Sequence, residues 1–467
     1  MSQEKNRITK ANIAQIESDL KEFQELLHPL FKRREQQRHG DNYLQGLLHP
    51  LPNKSIETMM LQMHGDNENE IRAMQHFMSE GSWDDEAVLK KHWQLVDEAI
   101  GDNEGVLIVD CSGFPKQGKD SVGVKRQWCG ELGKRANCQV GVFVGYASQN
   151  GRTLLDRRLY LPEEWVEEKA DAKRREKCGV PSEIDFKTKP TLAAEMVQEL
   201  AASQTIRFRW LTADEGYGRV PDFLDAVGQL AWYLAEVPSN TRVWLERPKT
   251  ELPTWKGKGR KPKHRRLVTG QPAAQTVAAL VANLAPEQWK RHLIKEGSKG
   301  PIVADLVAIR VTNVRHKLPS DEVWLVCRRH LTTGEIHYFL SNAPSDTTLK
   351  TFARITGLRW PIETCFEEGK QELGMGDYQL RSWTGWHHHM TLVILAHGFL
   401  MRVRHKLTDD APQLTLPQVI LLLKAVLPQP EFSVESTLSV VNYYHRRHAA
   451  ASRSHRKRRL AYLEQLE

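Results

Sequence analysis

Residues 105–110 read GVLIVD, a stretch that decides the fold because it joins a turn, an apolar run and an acid. Gly105 closes a polar turn, and the four apolar residues after it are typical of a strand buried on both faces. Asp110 follows this run. A carboxylate at the carboxyl end of a buried strand faces the crevice at the sheet edge, where open α/β folds bind ligands. The stretch therefore predicts a ligand site at Asp110.

The same arrangement recurs at residues 208–214, FRWLTAD, where Asp214 follows a second apolar run. Two acids that end two buried strands suit a hard divalent cation such as Mg²⁺, which takes oxygen ligands. A single Asp after a strand is also a common helix cap or turn residue. Other predicted strands and helices around these acids cover residues 139–146, 153–161, 191–202, 220–227 and 232–237. Their alternation predicts an α/β core.

The rest of the chain divides into segments that differ in the spacing of their apolar residues. Apolar residues recur three and four apart at 10–38, 56–63, 71–78 and 86–100, so the N-terminal part is predicted to be helical. Short apolar or alternating runs such as 303–314 predict a β-rich insertion, and helices resume near 346. The predicted segments are a helical N-terminal domain (1–100), the first part of the core (101–239), the insertion (240–345), the second part of the core (346–405) and a helical C-terminal region (406–467).

Basic charge is concentrated in a few runs. Lys and Arg total 66 against 58 acids, which gives a net charge of +8. The runs lie at residues 32–34, 173–175, 256–266 and 453–459. Clustered cations favour a polyanionic partner, because each neutralised phosphate releases counterions. Solvated surface faces are the other interpretation of any single run.

No feature of the sequence predicts secretion or a membrane span. The first residues, MSQEKNRITK, precede no apolar segment, and the apolar stretch at 390–401 is too short to cross a bilayer. The six cysteines show no zinc-finger spacing, so reduced thiols are expected. Neighbouring helical residues point about 100° apart, so the three histidines at 387–389 are not expected to share one metal; proximity to DNA or to a helix start is the alternative. We expect a cytoplasmic protein.

A third acid, Glu363, lies in the segment LRWPIETCFEEGKQELG. Arg359, Glu363, Glu367 and Lys370 are spaced four, four and three apart, so they share one face of a helix that is predicted to start near Pro361. On such a face the Glu can bind a metal while the cations contact phosphate. A solvated face stabilised by i,i+4 ion pairs is the alternative.

The spacing of Arg359, Glu363 and Lys370 is similar to the signature around the catalytic Glu of insertion-sequence DDE transposases. Thr356 stands where that signature usually has a tyrosine. Five further blocks resemble the same group: DCSGFPKQGKDSVGVKRQWCG from Asp110 onward, LLDRRLYLPEEW, GVPSEIDFKTKP, ADEGYG and RSWTGWHHHMTLVILAHGFL. They cover residues 105–405 in order. The chain most resembles the insertion-sequence branch seven-oh-one, related to the branch named four.

This resemblance implies an RNase H-like core that is interrupted by the β-rich insertion. It also implies that Asp110, Asp214 and Glu363 are catalytic and hold two Mg²⁺ ions, for which Mn²⁺ can substitute. The implied activity is that of a transposase, a metal-dependent endonuclease and strand transferase that nicks transposon ends and joins them to target DNA. Two alternatives are an RNase H-like endonuclease without strand transfer and an inactive relative that only binds DNA.

The implied partners are double-stranded DNA with terminal inverted repeats, target DNA and a second subunit in the active complex, in a nucleoid-associated bacterial protein. The N-terminal domain is expected to bind transposon ends, and residues 443–459 to contact DNA or a second subunit. The expected phosphate contacts are Arg359, Lys370, Lys256, Lys258, Arg260, Lys261, Lys263, Arg265 and Arg266. Five aromatic residues are candidates for contacts to the DNA end or to a flipped base, with packing as the alternative: Tyr217, Trp244, Trp255, Trp289 and Trp324.

Overall fold

The structure, a computed structural model, describes residues 7–167, 172–255, 257, 260–297, 300–429 and 433–464. Its helices are α1 (Lys10–Leu27), α2 (Arg34–Leu48), α3 (Ile56–His64), α4 (Glu68–Ser79), α5 (Asp85–Ile100), α6 (Glu164–Glu167), α7 (Ala172–Lys177), α8 (Lys189–Ser203), α9 (Glu215–Gly218), α10 (Pro221–Val227), α11 (Val277–Ala282), α12 (Leu349–Gly357), α13 (Pro361–Glu372), α14 (Trp383–Lys406), α15 (Leu416–Leu423) and α16 (Val434–Glu464).

Its strands are β1 (Val106–Pro115), β2 (Lys125–Cys129), β3 (Lys134–Ser148), β4 (Gly151–Tyr160), β5 (Trp210–Ala213), β6 (Trp232–Val237), β7 (Arg242–Trp244), β8 (Thr250–Glu251), β9 (Arg266–Leu267), β10 (Gln275–Thr276), β11 (Lys290–Gly297), β12 (Gly300–Arg315), β13 (Leu318–His330) and β14 (Ile336–Ser341). Twelve of them form one mixed sheet in the order β10-β7-β12-β13-β14-β6-β5-β1-β3-β2, with β11 beside β12 and β4 beside β3. The pairs β1–β5 and β5–β6 are parallel. The fold is therefore mixed α/β, as predicted.

The chain forms two compact units. The helical unit comprises Met1–Val88, Glu176–Val180 and Glu368–Glu467, and the sheet unit comprises Leu89–Arg175 and Pro181–Glu367. The large sheet lies in the sheet unit. Helices α1 to α4 and α14 to α16 lie in the helical unit.

The three adjacent histidines lie in the core of the helical unit, near the start of α14. His388 stacks on Trp83 with 3.8 Å between ring centroids and donates from Nδ1 to the carbonyl oxygen of Met78 at 3.1 Å. His389 Nδ1 lies 2.7 Å from the hydroxyl of Tyr43. The rings of His388 and His389 thus have different partners within the helical unit. The suggested proximity to DNA is wrong, because all three side chains are buried.

The predicted helix over residues 10–38 is interrupted. Helix α1 ends at Leu27, a 3₁₀ turn follows at His28–Leu30, and α2 begins only at Arg34. Pro29 contributes to the break because it has no N–H to donate to α1, and the backbone becomes extended at Phe31 and Arg33. Periodicity alone did not register this interruption.

Strand β1 occupies the centre of the predicted core. Its first four residues, Val106–Val109, are buried and pair with both β3 and β5. The prediction that Asp110 ends the strand is wrong, since β1 continues to Pro115. Its pairing with β3 extends from Val106 to Pro115, whereas its parallel pairing with β5 stops at Val109. Asp110 therefore lies where one of its two neighbouring strands ends.

The region 240–345 is rich in strands, as predicted. Its strands are continuous with the core sheet, because β14 pairs antiparallel with β6 and then with β13. A separate two-stranded sheet pairs β8 with β9 at the two ends of the basic stretch. Within the described residues, no helix has the length and apolar character required to cross a membrane.

Candidate functional site

Asp110 and Asp214 are neighbours across a parallel strand pair. The register of β1 and β5 places Val109 opposite Ala213, so each acid is the next residue after the last paired position. Adjacent strands lie about 4.8 Å apart, and the two side chains therefore emerge side by side at the end of the parallel ladder. The predicted convergence of these two acids follows from this register.

The Asp110 carboxylate is crowded by like charge. Its Oδ1 accepts a hydrogen bond from the N–H of Cys111 at 2.7 Å. Burial, together with the charges of Asp214 and Glu363, raises the pKa of Asp110 to about 7, although the Cys111 bond and the charge of Arg359 act in the opposite direction. An acid with this pKa is only partly ionised at neutral pH, and positive charge brought to the site would favour its ionised form.

Asp214 follows β5 directly, as predicted, and caps the short helix α9. Its Oδ1 accepts hydrogen bonds from the N–H groups of Gly216 at 2.9 Å and Tyr217 at 3.3 Å. Burial raises its pKa, and these two backbone bonds oppose that shift. The capping role holds Oδ1 in a fixed direction. It is compatible with metal binding because a carboxylate has a second oxygen.

Glu363 lies in the first turn of α13, which begins at Pro361 as predicted. The helix packs on β3: Ile362 lies so close to Gly145 that a Cβ there would be 3.2 Å from its side chain, and Phe366 meets Phe143 edge to face with 5.3 Å between ring centroids. This packing brings Glu363 near enough to raise the pKa of Asp110.

The carboxylate oxygens of the three acids do not all lie close together. Their oxygens are not all within 4.8 Å of one another. Glu363 instead pairs with Arg359, whose Nη1 lies 3.0 Å from Oε1. The guanidinium therefore partly neutralises the charge of Glu363 beside the two aspartates.

A fourth acid, Glu236, was missed by the sequence analysis. It is the penultimate residue of β6 and is 9% exposed. Its Oε2 lies 3.3 Å from Arg359 Nε, and its Oε1 lies 2.6 Å from His337 Nδ1. Burial raises the pKa of Glu236, but the His337 bond and the Arg359 charge outweigh this effect and the net pKa is lowered.

The sequence did contain a signal for Glu236. It is the one charged residue in the buried run WYLAEV, and such a position requires a specific partner. The register of β5 and β6 places Ala235 opposite Ala213, so Glu236 follows the last paired position as Asp214 does. Three consecutive parallel strands thus each present an acid at the same edge.

Arg359 joins two of these acids. Its guanidinium contacts Glu236 through Nε and Glu363 through Nη1. Lys370, the other predicted phosphate contact of this motif, lies on the same helix seven residues after Glu363, in the part of the helix that belongs to the helical unit.

The predicted aromatic contacts differ in accessibility. Tyr217 is 3% exposed and packs against Phe223. Trp244 and Trp324 donate from Nε1 to the carbonyl oxygens of Pro272 and Pro344, at 2.9 and 3.0 Å. These contacts give packing roles to the three side chains.

The two other tryptophans of the prediction are differently placed. Trp289 lies under the guanidinium of Arg329, with 4.3 Å between that group and the ring centroid. Trp255 is 49% exposed and is the most accessible of the four tryptophans. An exposed indole is the arrangement that stacking on a DNA base requires.

The predicted basic stretch is only partly described. Lys256 and Lys258 lie outside the described residues, whereas the remaining predicted cations are exposed: Arg260, Lys261, Lys263, Arg265 and Arg266. Arg265 Nε donates to Thr250 Oγ1 at 2.9 Å, and Arg266 pairs with Glu251 at 3.0 Å. These contacts hold the ends of the stretch at the β8–β9 sheet.

The fold and the site define a mixed α/β protein in which acids from adjacent parallel strands and from one helix crowd at a sheet edge, as in enzymes that bind divalent cations. The sequence model of the DDE superfamily endonuclease family matches residues 26–301, and the chain belongs to this family. The match includes Asp110 and Asp214 and ends before Glu363. Membership makes the protein a DDE-superfamily transposase or endonuclease.

One relative is a probable transposase for the insertion sequence element IS701 of Microchaete diplosiphon. The two sequences are 25% identical over 339 residues, which is 72% of this chain and 74% of the relative. A solved synaptic complex of the piggyBac transposase with hairpin DNA aligns over 92% of this chain and 82% of its own, with a TM-score of 0.40 and 9% identity.

Proposed function

We propose that this protein is a DNA transposase that nicks transposon ends and joins them to target DNA at a site formed by Asp110, Asp214 and Glu363. The observation that carries the proposal is the proximity of these acids at the end of the β1–β5 ladder, where burial and the charges of Asp214 and Glu363 raise the pKa of Asp110 to about 7. A cluster of carboxylates with one guanidinium nearby is unfavourable unless a cation is bound.

Two divalent ions, Mg²⁺ or Mn²⁺, fit this donor set because both take carboxylate oxygens. Asp110, Asp214 and Glu363 would hold them. When bound, such ions activate the attacking water or 3′-hydroxyl and stabilise the leaving oxygen of an in-line displacement at phosphorus.

The chain's own groups orient the acids. The backbone N–H groups of Gly216 and Tyr217 fix one oxygen of Asp214, and the N–H of Cys111 fixes one oxygen of Asp110. Arg359 restrains Glu363 through their ion pair. We infer that Arg359 and Lys370 contact DNA phosphates near the cut, because Arg offers a forked donor set and Lys a point charge.

The proposed architecture is an RNase H-like core with an inserted β-rich segment, flanked by a DNA-binding helical N-terminal domain and a helical C-terminal region. The neighbouring strands β4-β3-β1-β5-β6, with the parallel pairs β1–β5 and β5–β6, support the core. The strands β7 to β14 support the insertion between Asp214 and Glu363.

The proposal is tested with the full chain and DNA that carries the terminal inverted repeats of its element. We expect strand cleavage at the repeat end with Mg²⁺ or Mn²⁺, none with EDTA, and a joined product when target DNA is added. Cleavage without joining would assign the protein to the nucleases. Binding without cleavage under any divalent ion would contradict the proposal.

Glu236 gives a separate prediction. Glu236→Gln removes the charge that holds Arg359 from the side opposite Glu363. We expect single-turnover cleavage to fall about 10- to 100-fold, the scale seen when a residue supporting a metal ligand is lost. The loss is expected because, without the charge of Glu236, Arg359 pairs with Glu363 alone and competes with a metal ion for the Glu363 carboxylate.

The matched control for this prediction is Glu335→Gln. Glu335 also faces His337, at 3.9 Å, but its side chain is 67% exposed and it does not reach Arg359 in any ion pair between described residues. We expect near-normal cleavage from this variant. Raised Mg²⁺ should partly restore the Glu236→Gln rate, whereas a defect that Mg²⁺ leaves unchanged would contradict the assigned role.

A further inference from the structure

Helix α16 is anchored to the helical unit through its middle turns. Tyr443 is its one buried residue, and its hydroxyl donates to Glu57 Oε1 at 2.5 Å. Arg447 Nε bonds the same carboxylate at 3.2 Å, and Arg446 lies 3.5 Å from Glu68. These contacts fix the direction in which the rest of the helix extends.

Beyond this anchor, the helix has no packing partner. Residues 450–464 are all exposed, and within the described ranges no hydrogen bond or ion pair joins them to another element. We call residues 448–464 the basic arm. Its charged Lys and Arg side chains are Arg453, Arg456, Lys457, Arg458 and Arg459, and its one acid is the last described residue, Glu464.

The charge of the basic arm is not confined to one face. Successive helical residues are rotated by 100°, so the four consecutive cations from Arg456 to Arg459 cover the whole circumference. A protein surface would contact one side of such a helix and leave the other cations in water. The major groove of DNA admits an α-helix and surrounds it with phosphates on both sides.

The basic arm is also electrostatically unfavourable by itself. Arg453 is four residues from Lys457 and three from Arg456, and like charges at these spacings destabilise a helix. No buried face compensates, because residues 450–464 are exposed and bury no side chain against the part of the chain that the structure describes. A bound polyanion would remove this repulsion. The small residues that begin the arm, Ala449–Ala451 and Ser452, would let the backbone come close to a groove.

We propose that the basic arm of α16 binds duplex DNA by lying in the major groove and contacting phosphates of both strands. The inference rests on the proposed function in that DNA is the substrate. Seventeen residues of helix span about 25 Å, which is less than one turn of B-DNA. The arm therefore covers one groove segment, and because its contacts are to phosphates it adds affinity without sequence preference.

The test replaces four cations in the full chain: Arg456→Gln, Lys457→Gln, Arg458→Gln and Arg459→Gln together. Affinity for a duplex of unrelated sequence is measured by fluorescence anisotropy, without divalent ions, over roughly 50 to 200 mM salt. Each phosphate contact contributes about 0.9 to the slope of log affinity against log salt, so we expect the slope to fall by about 3 to 4.

Two control variants separate charge from helical form. Arginine-to-lysine exchange at residues 456, 458 and 459 keeps the charge and should keep the slope. Ser452→Pro keeps every cation but interrupts the helix, and we expect weaker binding than wild type. Thermal unfolding should be unchanged in the charge variants, because the arm buries no side chain against the helical unit.

Three outcomes would overturn the inference. The first is an unchanged salt slope in the four-residue variant. The second is wild-type affinity in Ser452→Pro, which would mean that the segment acts as a flexible basic tail. The third is a change of oligomeric state in light scattering with an unchanged slope, which would assign the arm to a second copy of the chain.

The result is independent of the proposed activity, because the binding assay contains no metal and requires no cleavage. A wild-type chain that binds with the full slope but never cuts would refute the proposed transposase alone. A chain that cuts, with a slope unaffected by the four replacements, would refute the basic arm alone.

Discussion

Glutamine in place of Glu363 is expected to lower the rate of DNA cleavage by roughly 10³-fold or more, the scale seen when one member of a catalytic group is removed. Glutamine keeps the size of the side chain and the helical position in α13. It removes the negative charge that a divalent ion requires, and it leaves Arg359 without its 3.0 Å partner. The same loss is expected for Asp110→Ala and for Asp214→Ala.

The chain offers close controls for these variants. Glu367 is exposed and lies one turn after Glu363 on the same helix, and Glu215 is exposed and adjacent to Asp214. Glu367→Gln and Glu215→Gln should cleave at nearly the wild-type rate. Single-turnover cleavage of end-bearing DNA at saturating Mg²⁺ measures the difference. Equal losses in the controls would show that the total negative charge of this region, and not the three-acid site, governs activity.

Asp110→Asn is expected to stabilise the metal-free protein. The folded-state pKa of Asp110 is about 7, above its ordinary value of 3.8, so the folded chain binds this proton more tightly than the unfolded chain. The contribution of Asp110 to the free energy of unfolding is therefore fully present below pH 3.8 and is lost as the pH rises to about 7. Asparagine carries no charge and does not suffer this loss.

The free energy of unfolding that Asp110→Asn gains over wild type should grow between about pH 4 and pH 7 and stay constant above that. The full pKa difference corresponds to roughly 4 kcal/mol at most, and partial exposure of Asp110 reduces the expected gain to about 1 to 3 kcal/mol. Urea unfolding in EDTA measures it. Saturating Mg²⁺ should reverse the order of stability, because the ions bind only folded wild type.

Asp222→Asn provides the comparison, since Asp222 is an exposed carboxyl in the first turn of α10. No gain with rising pH is expected for it. The contrary outcome is that Asp110→Asn proves less stable than wild type at pH 8 in EDTA. That result would mean that ionised Asp110 stabilises the folded protein, and it would contradict the inference that the acids lack positive charge.

Much of the core was predictable from local sequence. The runs before Asp110 and Asp214 are strands, and α13 begins at Pro361, because apolar continuity and a helix-starting proline act over a few residues. The family resemblance rests on the same short blocks, and the membership of the chain in the DDE superfamily endonucleases agrees with it.

The local sequence pattern gave no correct prediction where contacts with a distant segment determine the structure. Strand β1 continues past Asp110 because β3 pairs with it as far as Pro115. The histidines of α14 are buried because aromatic residues of other helices cover them, such as Trp83 beside His388. Glu236 is bonded to His337 and Arg359, which are about 100 residues away or more along the chain.

The sequence by itself determined where β1 and β5 lie before the two aspartates, where α13 begins and which three acids are candidates, since these depend on neighbouring residues. The tertiary structure alone decided that the parallel register sets Asp110 beside Asp214, that α13 packs on Gly145 and brings Glu363 near them, and that a fourth acid restrains Arg359. The physical reason is that strand pairing and helix packing join residues far apart in the chain, and burial then changes the charges they can carry.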